Sequence, residues 1–319
     1  MAVLSHADQK AIIIDCVGPV LSDDERALYR DHNPHGFILF QRHCENPDQL
    51  KKLVNDLREC VGREDAPILI DQEGGSVARL REPNFREFPS ALKYREMARD
   101  DLAAAEQAVY ENARAMARQL KEFGINVNCT PVMDIPVAGS HEFLAAKRVY
   151  GDNPETVTAL ARQVCKGHLD EGVTPIFKHI PGHGRATVDS HFDLPRISAS
   201  HDELRESDFL PFMELSKETW AKGVWAMTAH VIYEDIDPDN AGTLSYKVIH
   251  DVIRGEVGFP GIIIADDVSM KALKGDMPEL AKRTIEAGCD LTLLCNQNFD
   301  INKGVLENTP LLNKKINLV

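Results

Sequence analysis

A stretch of fourteen residues, from Lys178 to His191, concentrates side chains that can take part in chemistry. It reads KHIPGHGRATVDSH and follows directly on an apolar segment, residues 172–177. A core strand does not need that composition, whereas a loop at the end of a strand can use it to present polar groups to a ligand. This stretch is therefore the first candidate for a functional site.

Within the stretch, Asp189 and His191 stand two residues apart. In an irregular loop, such side chains can turn to the same side. A carboxylate bonded to one imidazole nitrogen fixes the tautomer and raises the basicity of the other nitrogen. The pair is thus a candidate general acid/base. Gly182 and Gly184 precede it and would let the loop bend and move, so we expect Asp189 and His191 to swing in over a ligand.

Ionisable residues also follow several other apolar runs, namely at Asp71, Asp134, His230 and the pair Asp266-Asp267. Each has a structural explanation as well. Asp71 and Asp134 could cap helices, His230 could be a satisfied core histidine, and one aspartate of the pair could be a cap. A lysine directly after an apolar run, as at position 178, is costly to bury unless it is paired or reaches a ligand.

The elements that must position these residues are short apolar runs rich in β-branched residues. Eight such runs occur, at Ala11–Gly18, Gly36–Phe40, Pro67–Asp71, Ile125–Asp134, Val173–Lys178, Val224–Val231, Gly261–Asp266 and Asp290–Cys295. They are nearly continuous rather than alternating, as in strands buried on both faces. Eight β/α units in one chain predict a (β/α)8 TIM-type barrel, with a doubly wound open sheet as the alternative.

Helix-length segments separate these runs. Pro47–Cys60 carries apolar residues at helical spacing, and the alanine-rich segment Ala91–Phe123 predicts one long helix that ends at Gly124. Further helix starts are predicted near Asn153, Ser200 and Ser245. No internal repeat or long linker divides the chain, so residues 1–319 are expected to form one catalytic barrel domain. Lys303–Val319 is expected to be a short final helix or a tail.

Composition excludes several classes of function. The net charge of −14, without a basic run, argues against nucleic acid or an anionic membrane as the main partner. The seven cysteines are irregularly spaced and form no Cys-x-x-Cys pair, which favours free thiols in a reduced compartment. No run of apolar residues approaches a membrane span or a signal peptide. We therefore expect a cytoplasmic protein. A monomer is a separate expectation, which does not follow from these features.

Taken in order, the motifs resemble the bacterial β-N-acetylhexosaminidases of glycoside hydrolase family 3. The segments that carry the resemblance are DQEGGSVAR at 71–79, GINVN at 124–128, RVYG at 148–151, KHIPGHGR at 178–185 with DSH at 189–191, MTAH at 227–230 and IADDVSM at 264–270. The resemblance as a whole runs in order from about Gly36 to Cys289. Ser76, Ile180 and Ala265 differ from the arginine, phenylalanine and serine usual in the family. None of these three is a proposed catalytic position.

The resemblance implies an enzyme that removes terminal β-linked N-acetylglucosamine, in single-domain cytoplasmic members from muropeptide fragments during cell-wall recycling. It implies that Asp266 is the nucleophile and that Asp189 and His191 form a dyad in which His191 is the acid/base. It also implies substrate-binding positions at Asp71, Arg79, Arg148, Lys178, His179 and His230. Retaining hydrolysis, which proceeds through a covalent glycosyl-enzyme intermediate, needs a carboxylate on one face of the sugar and a proton donor on the other. An imidazole can be that donor near neutral pH, and no metal or other cofactor is required.

Three alternatives stay open on the sequence. A phosphorylase would share the site, because a neutral histidine tolerates an anionic phosphate acceptor better than a carboxylate does. A metal-dependent barrel hydrolase could draw its ligands from His179, His183, Asp189, His191, His230 and Asp266. The third alternative is an inactive barrel that only binds sugar.

Overall fold

The structure is a computed structural model that describes residues 8–142, 147–188, 190 and 193–312 of the chain. The strands of this part are β1 (Lys10–Ile14), β2 (Pro34–Leu39), β3 (Ile68–Ile70), β4 (Val127–Asn128), β5 (Thr174–Ile180), β6 (Arg196–Ile197), β7 (Trp225–Thr228), β8 (Ile232–Tyr233), β9 (Ile262–Asp267) and β10 (Leu291–Leu294).

Eight of these strands are parallel and close into a barrel, in the order β1-β10-β9-β7-β5-β4-β3-β2. Closure follows from β1, which pairs with β2 on one side and with β10 on the other. Each predicted apolar run contributes one barrel strand. The TIM-type barrel is therefore confirmed, and the open sheet is wrong. Strands β6 and β8 form a separate two-stranded sheet outside the barrel.

Helices connect the strands. They are α1 (Asp23–His32), α2 (Pro47–Val61), α3 (Ala91–Asp100), α4 (Leu102–Glu122), α5 (Pro154–Asp170), α6 (His201–Glu206), α7 (Leu210–Ser216), α8 (Lys247–Glu256), α9 (Met277–Glu286) and α10 (Phe299–Asn308). Helix α8 has π-type hydrogen bonding. Single 3-10 turns occur at Gln41–His43, Ala221–Gly223 and Gly242–Leu244.

The predicted helix starts are confirmed by their capping contacts. The side chains of Asn153, Ser200 and Ser245 accept hydrogen bonds from backbone N–H groups three residues ahead. One prediction is wrong, because Ala91–Phe123 is not a single helix. Asp101 has an extended backbone between α3 and α4, and its carboxylate caps α4 by accepting from Ala104 N at 3.0 Å. An aspartate at this point favours a new helix start over continuation.

The barrel interior is filled by a cluster that takes apolar side chains from every barrel strand, including Ile13, Ile38, Leu69, Ile176 and Ile264. Larger clusters pack the outer faces of the strands against the helices. Because these side chains fill the interior, it is a packed core rather than a pore. Burial of one such side chain contributes about 1.5–3 kcal/mol to stability. The polar residues that end the strands are thereby placed on one rim.

Toward its C-terminus the described chain has α10, followed by an antiparallel bridge from Leu311 to Lys10. Residues 313–319, within the predicted final helix or tail, lie outside the described part. All seven cysteines are buried and free. No helix in the ranges described above combines the length and apolar character needed to cross a bilayer.

Candidate active site

A cavity of about 380 Å³ opens at the C-terminal ends of the barrel strands. Its walls include six of the predicted site residues, namely Asp71, Arg79, Arg148, Lys178, His179 and Asp266. They come from the ends of β3, β5 and β9 and from the loops that follow β3 and β4. In barrels of this type the loops at this face build the active site, so the cavity is the candidate active site.

Lys178 lies at the centre of a cluster of buried and half-buried charges at this cavity. Its Nζ atom is 3.0 Å from Asp71 Oδ1 and 2.7 Å from Glu73 Oε1. Arg79 Nη2 is 3.0 Å from the other oxygen of Asp71. Arg148 binds Glu73 through two hydrogen bonds of 2.9 and 2.7 Å. Three cations thus face two carboxylates, and each side chain is held by the others.

The pairing keeps these groups charged. Burial would raise the pKa of Asp71, but the charges of Lys178 and Arg79 outweigh it and hold that pKa well below its usual range. Burial acts in the same way on Glu73, yet Arg148 and Lys178 lower its pKa to about 2. Burial would lower the pKa of Lys178, but the two carboxylates raise it above its usual value. At neutral pH the cluster therefore offers charge-assisted hydrogen bonds, the strong kind, to hydroxyl groups of a ligand.

His179 is oriented by Asp134. The ring Nδ1 lies 2.7 Å from Asp134 Oδ2, while Oδ1 accepts the backbone N–H groups of His179 and His183 at 3.2 and 2.7 Å. Burial would raise the pKa of Asp134, but His179 and these hydrogen bonds lower it to about 2. Asp134 is fully buried beneath the cavity. It therefore sets the tautomer of His179 and leaves Nε2 of that ring for a ligand.

The glycines after His179 are required by close packing. A Cβ on Gly184 would lie 2.0 Å from Ile135 O, and one on Gly182 would lie 2.9 Å from Asp208 Cβ. The carbonyl oxygen of Gly182 accepts a hydrogen bond from Tyr233 Oη at 2.8 Å. These contacts give both glycines a packing role, and the motion that the sequence predicts at them stays a prediction.

Asp266 is the penultimate residue of β9 and lies on the cavity wall. The carboxylate of its neighbour Asp267 is hydrogen-bonded to Ser269 and Cys295. Asp267 Oδ1 accepts from Ser269 N at 3.0 Å and Cys295 N at 3.1 Å, and Oδ2 accepts from Ser269 Oγ at 2.7 Å. The backbone N–H of Asp267 donates to Asp266 Oδ1 at 2.8 Å. Burial raises the pKa of Asp267 to about 7 against these hydrogen bonds. The carboxylate of Asp267 is thus held by Ser269 and by the backbone of Cys295.

His230, predicted to bind substrate, is fully buried. Its Nε2 donates to the carbonyl oxygen of Asp267 at 2.9 Å, and its Nδ1 lies 2.7 Å from Thr243 Oγ1. Both ring nitrogens thus contact protein atoms behind the cavity wall. This geometry fits a residue that positions the end of β9 better than one that touches substrate.

The predicted dyad of Asp189 and His191 lies outside the described residues. Val188 and Ser190, on either side of Asp189, line the cavity. Among the described residues, no group of three or more His, Cys, Asp or Glu side chains has a geometry that could hold a metal ion.

Glu73, Phe40 and His183 are among the residues in and around the cavity to which the sequence assigns no catalytic or substrate-binding role. Glu73 joins two cations, and its only sequence signal is its place two residues after Asp71 in the same polar run. Phe40 lines the cavity with the guanidinium groups of Arg42 and Arg79 each 5.2 Å from its ring centre. His183, considered only as a metal ligand, also lines the cavity.

Known proteins resemble this chain over most of its length. Residues 7–317 match the family model described as the glycosyl hydrolase family 3 N terminal domain. A beta-hexosaminidase of Shewanella frigidimarina is 36% identical over 91% of this chain and 83% of its own length. One of Methylococcus capsulatus is 38% identical over 89% of this chain and 82% of its own length.

Among solved structures, NagZ from Neisseria gonorrhoeae superposes with a TM-score of 0.88 at 31% identity, covering 98% of this chain and 88% of that one. The same enzyme has been solved in complex with N-trifluoroacetyl-D-glucosamine.

Proposed function

This chain belongs to glycoside hydrolase family 3 and is a glycoside hydrolase, and on that premise we propose that it is a retaining exo-β-N-acetylglucosaminidase. Its proposed substrates are muropeptide fragments that carry a terminal β-linked N-acetylglucosamine, in the cytoplasm. The relatives named beta-hexosaminidase and the complex of NagZ with an N-acylated glucosamine support the choice of sugar.

One observation carries the proposal. Asp266 shares a cavity with the charged cluster around Lys178. The cluster supplies ionised donors and acceptors for several hydroxyl groups, as a terminal sugar requires. A carboxylate in the same cavity is placed to act on the anomeric carbon of a sugar held in this way. A cavity of about 380 Å³ has room for one sugar ring with its substituents, which fits an enzyme that acts on chain ends.

The proposed reaction has two steps. In the first, a carboxylate oxygen of Asp266 attacks the anomeric carbon, the bond from that carbon to the leaving oxygen breaks, and His191 gives its proton to that oxygen. The product is a glycosyl ester of Asp266. In the second step, His191 removes a proton from water, the water oxygen bonds to the anomeric carbon, and the ester bond breaks. Two inversions retain the β configuration. Asp189 is proposed to orient His191.

The proposed roles of the remaining residues follow their contacts. Asp71, Arg79, Arg148, Lys178 and His179 bind sugar hydroxyls. Glu73 and Asp134 hold these binding residues in place through the contacts described above. His230 is proposed to support the end of β9 through the Asp267 carbonyl.

The test is hydrolysis of 4-nitrophenyl β-N-acetylglucosaminide by the wild type and by the Asp266→Asn and His191→Ala variants. We expect near-complete loss for Asp266→Asn. Nitrophenolate needs little protonation to leave, so His191→Ala should impair a muropeptide substrate more than this one. Asp276→Asn is a matched control, because Asp276 is an exposed aspartate in the loop that follows β9, the strand that contains Asp266. It should keep the wild-type rate.

Product analysis completes the test. We expect N-acetylglucosamine that is initially β, as seen by NMR, with and without phosphate in the buffer. Initial α product would contradict retention, and sugar 1-phosphate as the main product would indicate a phosphorylase. Wild-type rates in both active-site variants would refute the site assignment.

A further inference from the structure

His183 is a buried imidazole on the cavity wall that satisfies neither of its ring nitrogens within the described part of the chain. Its side chain is 5% exposed, and it lines the cavity. Nδ1 and Nε2 are both buried without a hydrogen-bond partner among the described residues. A buried polar group left unpaired costs about 1–3 kcal/mol. Folding alone does not explain such a side chain at this position, whereas a bound ligand would.

The backbone around His183 is fixed in place, and its ring packs against a neighbouring ring. Its backbone N–H donates to Asp134 Oδ1 at 2.7 Å. On its C-terminal side, Gly184 lies against Ile135 with no room for a Cβ atom. The imidazole also packs on the ring of His179, with 5.5 Å between ring centres. His183 is therefore built into the wall of the cavity.

The chemistry of the ring limits what it can bind. Burial, and then the neighbouring His179, lower the pKa of His183 to about 4. At neutral pH the ring is uncharged and offers one N–H donor and one acceptor nitrogen. Such a pair suits a neutral group that also both donates and accepts. An amide does so, whereas a carboxylate or a phosphate only accepts.

The position of the ring selects among the substituents of a bound sugar. The charges of Asp266 and Arg148 both act on the His183 ring, so the ring lies within electrostatic reach of the proposed nucleophile and of the hydroxyl-binding cluster. Asp266 acts at C1, and the cluster is proposed to bind hydroxyls farther around the ring. Of the two ring atoms next to C1, only C2 carries a substituent, so that substituent is the one expected to face a side chain within reach of both groups.

We propose that His183 is a specificity-determining residue that hydrogen-bonds the 2-acetamido group of the substrate. This inference rests on the proposed function. The acetamido group supplies the amide that the imidazole requires. A 2-hydroxyl group is shorter, and a sugar that carries it would leave the buried ring unpaired. Sites built in this way discriminate against analogues that lack the polar group.

The test compares kcat/KM for 4-nitrophenyl β-N-acetylglucosaminide and 4-nitrophenyl β-glucoside in the wild type, His183→Ala and His183→Asn. We expect His183→Ala to lower kcat/KM for the acetamido substrate about 10- to 100-fold, which is the loss of one buried hydrogen bond. The value for the glucoside should change less than about threefold. His183→Asn keeps a donor and an acceptor, so it should recover part of the loss. His250→Ala, at an exposed histidine, is the control.

A stability measurement separates a functional from a structural role. Because the ring nitrogens lack partners among the described residues, His183→Leu, of similar volume, should leave Tm unchanged or raise it. A Tm lowered by more than about 3 °C would mean that protein groups use the nitrogens, and would overturn the inference. Equal losses on the two glycosides would overturn it as well. In both cases wild-type activity on the acetamido substrate would leave the proposed function standing, whereas a wild type inactive on that substrate would defeat both.

Discussion

Glu73 offers the sharpest test of how the binding cluster is held. The side chain is 7% exposed and makes three hydrogen-bonded contacts shorter than 3 Å, one to Lys178 and two to Arg148. Glu73→Gln keeps the shape of the side chain and removes its charge. Three cations would then face the single carboxylate of Asp71. The amide nitrogen of the new side chain would also point a donor at one of these cations.

The expected losses in stability and in activity follow from these contacts. Removing one partner of a buried ion pair destabilises a protein by about 3–5 kcal/mol. Unfolding entropy is about 2 cal/mol/K per residue, so this chain of 319 residues should lose about 4–8 °C in Tm. Lys178 and Arg148 would also lose the group that orients them. We expect kcat/KM on the chromogenic acetamido substrate to fall by about 100-fold, mainly through KM, because the affected residues are proposed to bind hydroxyls rather than reacting atoms.

The assays are thermal unfolding and steady-state kinetics on the same preparations. Glu87→Gln is the matched control, since Glu87 is 48% exposed and lies 3.5 Å from Arg81. An exposed pair is worth less than about 1 kcal/mol, so the control should change Tm by less than about 2 °C and leave kinetics unchanged. If Glu73→Gln behaves like this control, the charged cluster does not hold the binding residues, and the account of the site given above is wrong.

Three further predictions concern other parts of the site. Asp134→Asn places an N–H group or a neutral oxygen against the ring of His179, so KM should rise about tenfold or more while kcat changes less; unchanged KM would contradict the orienting role. The folded-state pKa of Asp267 is raised to about 7 above its ordinary value of about 4, so the contribution of this one group to wild-type stability should be greatest below pH 4 and be lost as pH rises through 7. Asp267→Asn can keep the bonds to Ser269 and Cys295 and cannot ionise. The free energy of unfolding of this variant, relative to that of the wild type, should therefore rise between pH 4 and 8 by at most about 4 kcal/mol, and its Tm relative to the wild type should rise with it. A difference in Tm that stays constant across this range would contradict the raised pKa. Full activity is expected after treatment with a chelator, and loss that Zn²⁺ restores would instead indicate a metal-dependent reaction.

The local pattern of the chain predicts parallel strands that alternate with helices, and the pairing of β1 with both β2 and β10 decides between a closed barrel and an open sheet. Eight apolar runs separated by helix-length segments identified every barrel strand, because strands buried on both faces need continuous apolar sequence and parallel neighbours need a crossover. Capping residues such as Asn153 and Ser200 marked helix starts because their side chains bond to backbone only three residues away. Helix propensity is high on both sides of Asp101, so the sequence pattern predicts one continuous helix where the structure has two.

The sequence by itself also determined which residues could share a site, because parallel barrel strands place their C-terminal ends on one rim. Only the tertiary structure decided how those residues are used. Lys178 meets Glu73, and His179 meets Asp134, across dozens of intervening residues. His230 lies close to the C-terminal end of a barrel strand, as His179 does, yet its ring is hydrogen-bonded to protein atoms behind the cavity wall. Such partners depend on how neighbouring strands are staggered when the barrel closes, and periodicity along one strand carries no record of that stagger.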